Sequence, residues 1–162
     1  MNNLSTNYLQ VLGQINLDET HVIQAFDYYQ ERYLSSALAQ AFVKNSPILP
    51  KKLRDSEFIG FCDRTMGVNI PKRRSFEGGA IRGSLQRYGL IRATGHELFR
   101  GCIVFPRFNK SKQIVGAVGY RIAKRIRGWQ PQEIHWQKPK PDAFKKLAIT
   151  VAKEIIHDKA HH

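Results

Sequence analysis

Arg100 and Arg121 stand at the outer ends of two apolar runs, Phe99 to Phe108 and Gln113 to Ile122, which the polar turn Asn109-Lys110-Ser111-Lys112 joins into a hairpin. A loop of that length sets Phe108 against Gln113, and counting back along both strands brings Arg100 opposite Arg121. Two cations facing each other across a strand pair repel. The arrangement is favourable if an anion lies between them, and phosphate suits two forked guanidinium groups better than any other common anion. Two other readings stay open: each arginine meets a carboxylate of its own, or a one-residue slip of register separates the pair. Arg107, Lys110 and Lys112 add cations to the same ribbon.

More basic residues flank it. Lys72, Arg73 and Arg74 form a loop before a helical pattern, and after the hairpin Lys124, Arg125, Arg127 and Lys138 interleave with Trp129 and Trp136. Cations and aromatics alternating in an unpatterned segment suit single-stranded nucleic acid, because cations follow phosphates while indole faces stack on unpaired bases. The two tryptophans serve equally well as pins that hold the segment to a core. Three adjacent cations such as Lys72 to Arg74 are by themselves as good a solvated turn as a phosphate contact; their weight comes from recurrence beside the hairpin.

Catalytic constellations are missing from the sequence. Acidic residues after position 50 occur singly, with no DxD, no paired carboxylates and no HExxH, so a two-metal phosphoryl-transfer centre has no evident ligands. GxGxxG and GxxxxGK[ST] loops are absent too. His96-Glu97 near Cys102 has the residue types of a nucleophilic site or of an ordinary turn before a strand. His157 and His161 have the i, i+4 spacing of a chelating pair or belong to a frayed tail. Cys62 and Cys102 lie in unrelated apolar contexts, as buried thiols do. The expectation is no catalytic residue, no metal site and no cofactor.

Charge supports the same direction. The 162 residues carry 26 Lys and Arg against 13 Asp and Glu, net +13. Residues 1–49 hold only two basic and four acidic side chains, which leaves 24 basic against 9 acidic in the rest. Such asymmetry points to a polyanion, of which nucleic acid is the commonest. No run approaches 18 apolar residues, so no membrane partner is expected. Met1 to Gln14 lacks the charged start and apolar core of a signal peptide, so a cytoplasmic location is expected.

The elements that must position these residues are short. Asn16-Leu17-Asp18-Glu19 reads as a capping box. Val22, Phe26, Tyr29, Tyr33, Ala37 and Ala41 follow at helical spacing, as one helix or two broken near Ser35-Ser36, ending before Asn45-Ser46-Pro47. Ile48 to Leu53 is a short linker or turn and Phe58 to Cys62 a brief buried strand. A helix capped by Ser75 carries Phe76, Ala80, Ile81, Leu85 and Tyr88 on one face and stops at Gly89. Ala123 to Pro141 has no period. A last helix opens at Pro141 and aligns Phe144, Leu147, Ala148, Val151 and Ile155. The division expected is an amino-terminal segment, 1–15, a nucleic-acid-binding domain, 16–140, and a carboxy-terminal helix and tail, 141–162.

One family shares this order of features. Phe99-Arg100-Gly101-Cys102-Ile103-Val104-Phe105-Pro106, then Asn109, Ile114-Val115-Gly116 and Gly119-Tyr120-Arg121, resembles the segment of bacterial DnaG-type primases in which an arginine-bearing strand ends in Phe-Pro and is followed by a turn, an Ile-Gly and a Gly-Arg. Ala25 to Tyr29, Phe58 to Phe61 and Leu85 to Ile91 resemble preceding elements, so the resemblance runs from about 20 to 140. It implies an α+β fold, a small antiparallel sheet built on the central hairpin 99–122 and packed with helices, as in the amino-terminal subdomain of the primase core. It also implies that Arg100 and Arg121 occupy two basic positions of the family pattern. Cys102 stands where the family has a second strand arginine, and Gly116 to Arg121 is one residue longer than usual. The zinc ribbon that precedes this unit in the family and the Toprim metal domain that follows it are not among these residues, so the chain is not expected to make primers alone.

Three functions follow as expectations. The first is a single-stranded nucleic-acid-binding, primase-like accessory module, with single-stranded DNA as its first partner, in the replication or recombination of a mobile element. The second is a non-catalytic subunit of a split primase, completed by a Toprim, polymerase or recombinase partner protein. The third is a protein-interaction adaptor whose apolar helix faces dock other proteins.

Overall fold

The structure, a computed structural model, describes residues 3–70, 76–123 and 131–139. Lys72, Arg73, Arg74, Lys124, Arg125, Arg127, Trp129 and the helix expected after Pro141 lie outside the described residues. The chain parts into two compact units, residues 21–138 and residues 1–20 with 139–162. The sheet, the core and the site all belong to the first.

The first helix, α1, runs Asn3–Leu34, so the capping box expected at Asn16 is not a helix start. A capping motif matters only where backbone N–H groups are orphaned, and here the preceding turns already satisfy them. The hydroxyl of Thr20 donates to Asn16 O at 3.1 Å, the local bond of a residue inside a helix. The break at Ser35-Ser36 is where the sequence places it: Ser36 caps α2 (Ala37–Asn45), its hydroxyl accepting the Ala39 N–H at 3.1 Å. Of the two readings of the stretch around Pro50, linker or turn, it is the turn that forms: a single helical turn, α3 (Lys51–Arg54), which proline opens. Another short turn, α4 (Met66–Asn69), precedes α5 (Phe76–Arg87). Gly89, at φ +81°, ends α5, and Leu90 N–H closes back on Leu85 O at 2.9 Å.

Strands β1 (Gly60–Phe61), β2 (Cys102–Phe108), β3 (Ile114–Arg121) and β4 (Glu133–Gln137) form one antiparallel sheet in the order β1-β2-β3-β4. Both faces are covered. Phe61, Ile103, Phe105 and Tyr120 project to one side, into a cluster with Ala39, Val43 and Leu49. Val104, Ala117 and Trp136 project to the other, where Phe26 of α1 meets the Trp136 ring at 5.5 Å. Burial on two faces explains why Cys102 to Phe105 is apolar without alternation. The α+β fold with its central hairpin is therefore the one observed. No described helix is long and apolar enough to cross a membrane.

β4 corrects the expectation of an unpatterned segment from Ala123 to Pro141. Glu133-Ile134-His135-Trp136-Gln137 does alternate, exposed and buried in turn, over five residues. Trp136 is thus a pin and not a stacking face: it is 6% exposed, and its indole N–H donates to Tyr88 O at 2.7 Å. Replacing Trp136 with phenylalanine keeps a ring against Phe26 but strips that carbonyl of its donor. We expect a loss of about 1–3 kcal/mol, read as a lower urea midpoint at unchanged m-value.

Candidate nucleic-acid interface

The hairpin forms in a different register from the one that pairs the two arginines. Cys102 faces Arg121, and the pairing slips between Arg107 and Phe108, where Phe108 faces Ile114 while Arg107 faces Gly116. The bulge at Val115 absorbs a residue that loop length alone does not reveal. The turn is tightened by Lys112 at φ +62° and by the side-chain oxygen of Asn109, which accepts N–H groups of Ser111 and Gln113 at 3.0 and 2.9 Å. Arg100 therefore stands before β2, not across from Arg121. The Arg121 guanidinium donates to Pro131 O at 2.8 Å and to Arg100 O at 3.3 Å, so among the described residues two carbonyls and no carboxylate hold it.

The same register divides the basic residues of the ribbon. Arg107, Lys110 and Lys112 are exposed at its closed end, with Lys138 beside Val115 through a 3.0 Å backbone bond. Arg100 and Arg121 lie at the open end, a strand length or roughly 20 Å away. Phosphates at the two ends would belong to different nucleotides.

At the open end the chain builds a cleft that hairpin reading does not predict. Residues 91–97 fold into a tight loop in which Arg92 N–H donates to His96 O and Gly95 N–H to Arg92 O, each at 2.8 Å, while Ile91 bridges Glu97. A recess of about 610 Å³ lies against this loop, with Arg64, Arg82, Gln86 and Arg100 on its walls. A second, of about 370 Å³, has Arg92, Arg100 and Arg121. Thr94, His96, Glu97 and Arg100 are common to both. Arg82 donates to Gly67 O at 3.0 Å, which fixes its guanidinium at the wall. Arg64 lies across Gly101, where an added Cβ would come within 3.3 Å of its Nη2 and the φ of +75° already disfavours any side chain.

Among the described residues on the walls of the two recesses, one carboxylate, Glu97, accompanies these arginines. The ion pairs Arg32–Asp63 at 2.5 Å and His135–Glu133 at 2.8 Å take up neither Arg92 nor Arg100. Burial would push the Asp63 carboxyl up, but hydrogen bonds from Thr65 and Arg32 outweigh it and hold the group below its ordinary range. Asp63 is thus paired with Arg32, although its charge still helps to raise the Glu97 carboxyl. Glu97 is different. Desolvation pushes its carboxyl above the ordinary range, against the opposing pull of the Cys62 thiol and the Arg100 charge. Cys62 donates to Glu97 Oε1 at 3.4 Å. Both thiols are free and buried, and burial raises Cys102 to about 11, which makes them poor nucleophiles.

A carboxyl raised in the folded state binds its proton more tightly there than in the unfolded chain. Its contribution to stability is present below the unfolded pKa, about 4.3, and is lost as pH rises through the higher folded value. Glu97→Gln keeps an oxygen for Cys62 and removes this loss. The urea midpoint of the variant should match the parent near pH 4, exceed it as pH rises through the folded value, and hold a constant lead above it.

Arg100 and Arg121 are brought together at the cleft in a geometry other than the expected one. Arg107, Lys110, Lys112 and Lys138 are elsewhere, and Trp136 is in the core. Arg64, Arg82 and Arg92 are the residues that sequence reading passes over, while His96 and Glu97, read there as a nucleophilic pair or a turn, line both recesses. The one available signal was the Ala93-Thr94-Gly95 turn chemistry between Arg92 and His96.

No family model matches the chain, and no curated protein matches it. Solved structures do. The Aquifex aeolicus primase, in a structure of its zinc-binding and RNA polymerase domains, is similar over 78% of this chain and 30% of that one, with a TM-score of 0.56 at 21% identity. A DnaG primase catalytic domain bound to ssDNA matches over 81% of this chain and 41% of that one, with a TM-score of 0.56 at 18% identity. A DnaG catalytic core matches over 77% and 38%, with a TM-score of 0.52 at 19% identity. The chain spans between 30% and 41% of the lengths of these structures. Its helices and four antiparallel strands have the fold found in primase catalytic cores.

Proposed function

We propose that this chain is a single-strand-binding module with the fold of the amino-terminal part of a primase core, holding the phosphates of single-stranded DNA in the arginine cleft beside residues 91–97. The observation that carries the reading is the convergence of Arg64, Arg92, Arg100 and Arg121 on two recesses that share a wall. Guanidinium groups free of carboxylate partners are suited to bidentate phosphate contact. Support comes also from a neighbour in fold, the primase catalytic domain whose structure holds ssDNA. In this reading the chain holds the strand and leaves bond making to another catalytic protein.

The test is anisotropy titration of the full chain against a labelled single strand and its duplex, at several salt concentrations. Four phosphate contacts predict a log–log salt slope of about −3, since each contributes about −0.7 on a single strand. The single strand should be preferred, because recesses beside a tight loop admit separated bases that a duplex keeps stacked. Equal affinity for the duplex, or binding indifferent to salt, would overturn the proposal.

A further inference from the structure

Among the described residues that line the two recesses, Glu97 is the carboxylate, set against Arg64, Arg82, Arg92, Arg100 and Arg121. The residue is 9% exposed. A negative charge in a phosphate site weakens phosphate binding, so its position calls for a ligand group other than phosphate. One of its oxygens, Oε1, accepts the weak Cys62 thiol donor at 3.4 Å, and the other has no donor among the described residues. Half of a nearly buried carboxylate therefore faces the recess with acceptor capacity to spare.

We infer that Glu97 reads the edge of an unpaired base, and that the base it selects is guanine; this rests on the strand-binding reading above. Guanine alone among the DNA bases presents two adjacent donors, the ring N1–H and the exocyclic N2 amino group, to a carboxylate. Adenine and cytosine each set an amino group beside a ring acceptor, and thymine flanks its single N–H with two carbonyls, which a carboxylate repels. The 610 Å³ recess is of the size that holds a nucleobase with its sugar. Arg64 and Arg100 on its walls take the phosphates on either side of that base. Arg92 and Arg121, lining the smaller recess, are left for further phosphates.

The experiment uses the full chain and oligothymidylate of fixed length carrying one central guanine, adenine, cytosine or hypoxanthine. Hypoxanthine lacks only the N2 amino group of guanine. The guanine strand should bind roughly tenfold more tightly than the others, with hypoxanthine intermediate. Glu97→Gln should abolish the guanine preference and move it towards adenine, which a carboxamide pairs bidentately, while tightening binding to plain oligothymidylate by removing a negative charge. A merely structural role for Glu97 would move affinity for all strands together. If the parent binds every strand equally, or if Glu97→Gln leaves the guanine preference intact, base reading by Glu97 is wrong and strand binding stands. If the parent binds no strand at all, both fall.

Discussion

The double substitution Arg92→Ala, Arg100→Ala is expected to weaken single-strand binding by about two orders of magnitude, at ~1.5 kcal/mol for each charged hydrogen bond lost. The log–log salt slope should become shallower by about 1.4, two contacts at about 0.7 each. Thermal stability should stay near the parent's. Arg92 is exposed, Arg100 is half-buried, and neither guanidinium is in an ion pair between described residues. Arg121 is a poorer target, because its bonds to Pro131 O and Arg100 O mix a structural loss with a binding loss. Lys110→Ala with Lys112→Ala is the control. Both residues sit at the closed end of the hairpin, so their removal should cost only the screened, long-range part of the attraction, a few-fold at about 0.15 M salt. Anisotropy titrations and melting curves on the same three proteins, parent included, separate the outcomes. Equal losses from the two pairs would mean that binding follows net charge and not the cleft.

Gly60→Ala is expected to cost about 3 kcal/mol or more, at or beyond the upper end of what overpacking a core usually costs, and Gly60→Val to leave little folded protein against a total stability of about 5–15 kcal/mol. A Cβ at this position in β1 would lie 2.7 Å from Tyr29 Cβ and 3.4 Å from the Tyr29 carbonyl carbon. Neither atom can swing away, because both belong to the backbone or its first side-chain atom in α1. Tyr29 is wholly buried and locked edge-on against Phe26 at 5.6 Å. The helix would have to lift off the sheet, opening the face that holds Val104 and Trp136. The measurement is the urea midpoint by circular dichroism. A drop below 1 kcal/mol for Gly60→Ala would show that α1 can shift without cost.

The two predictions differ in how far the amino-acid order reaches them. That Gly60 sits in a short apolar strand is legible from Phe58-Ile59-Gly60-Phe61-Cys62, but that a helix residue thirty-one positions earlier presses on it is not. The hairpin, the Ser35-Ser36 break and the stop at Gly89 were legible because each depends on neighbours within a few residues. The Arg100–Arg121 pairing failed for the opposite reason: its two-residue shift of register comes half from the turn, where Phe108 faces Ile114, and half from the bulge at Val115, which hydrogen bonding across the sheet selects. β4 was obscured by prolines, glycines and cations on either side of five residues that do alternate. Asn16 to Glu19 carried a start signal that helical residues before it made irrelevant.

By itself, the order of residues determined that this protein has a basic body, a central β-ribbon and helical segments around it, because local conformational preference and the sign of charge are properties of the residues themselves. Only tertiary structure decided which cations share a site. Arg64, Arg82, Arg92, Arg100 and Arg121 come from separate stretches, and their effect on one phosphate depends on separations of a few ångströms set by sheet register and by the loop 91–97. Electrostatic attraction falls with distance in space and takes no account of distance along the chain.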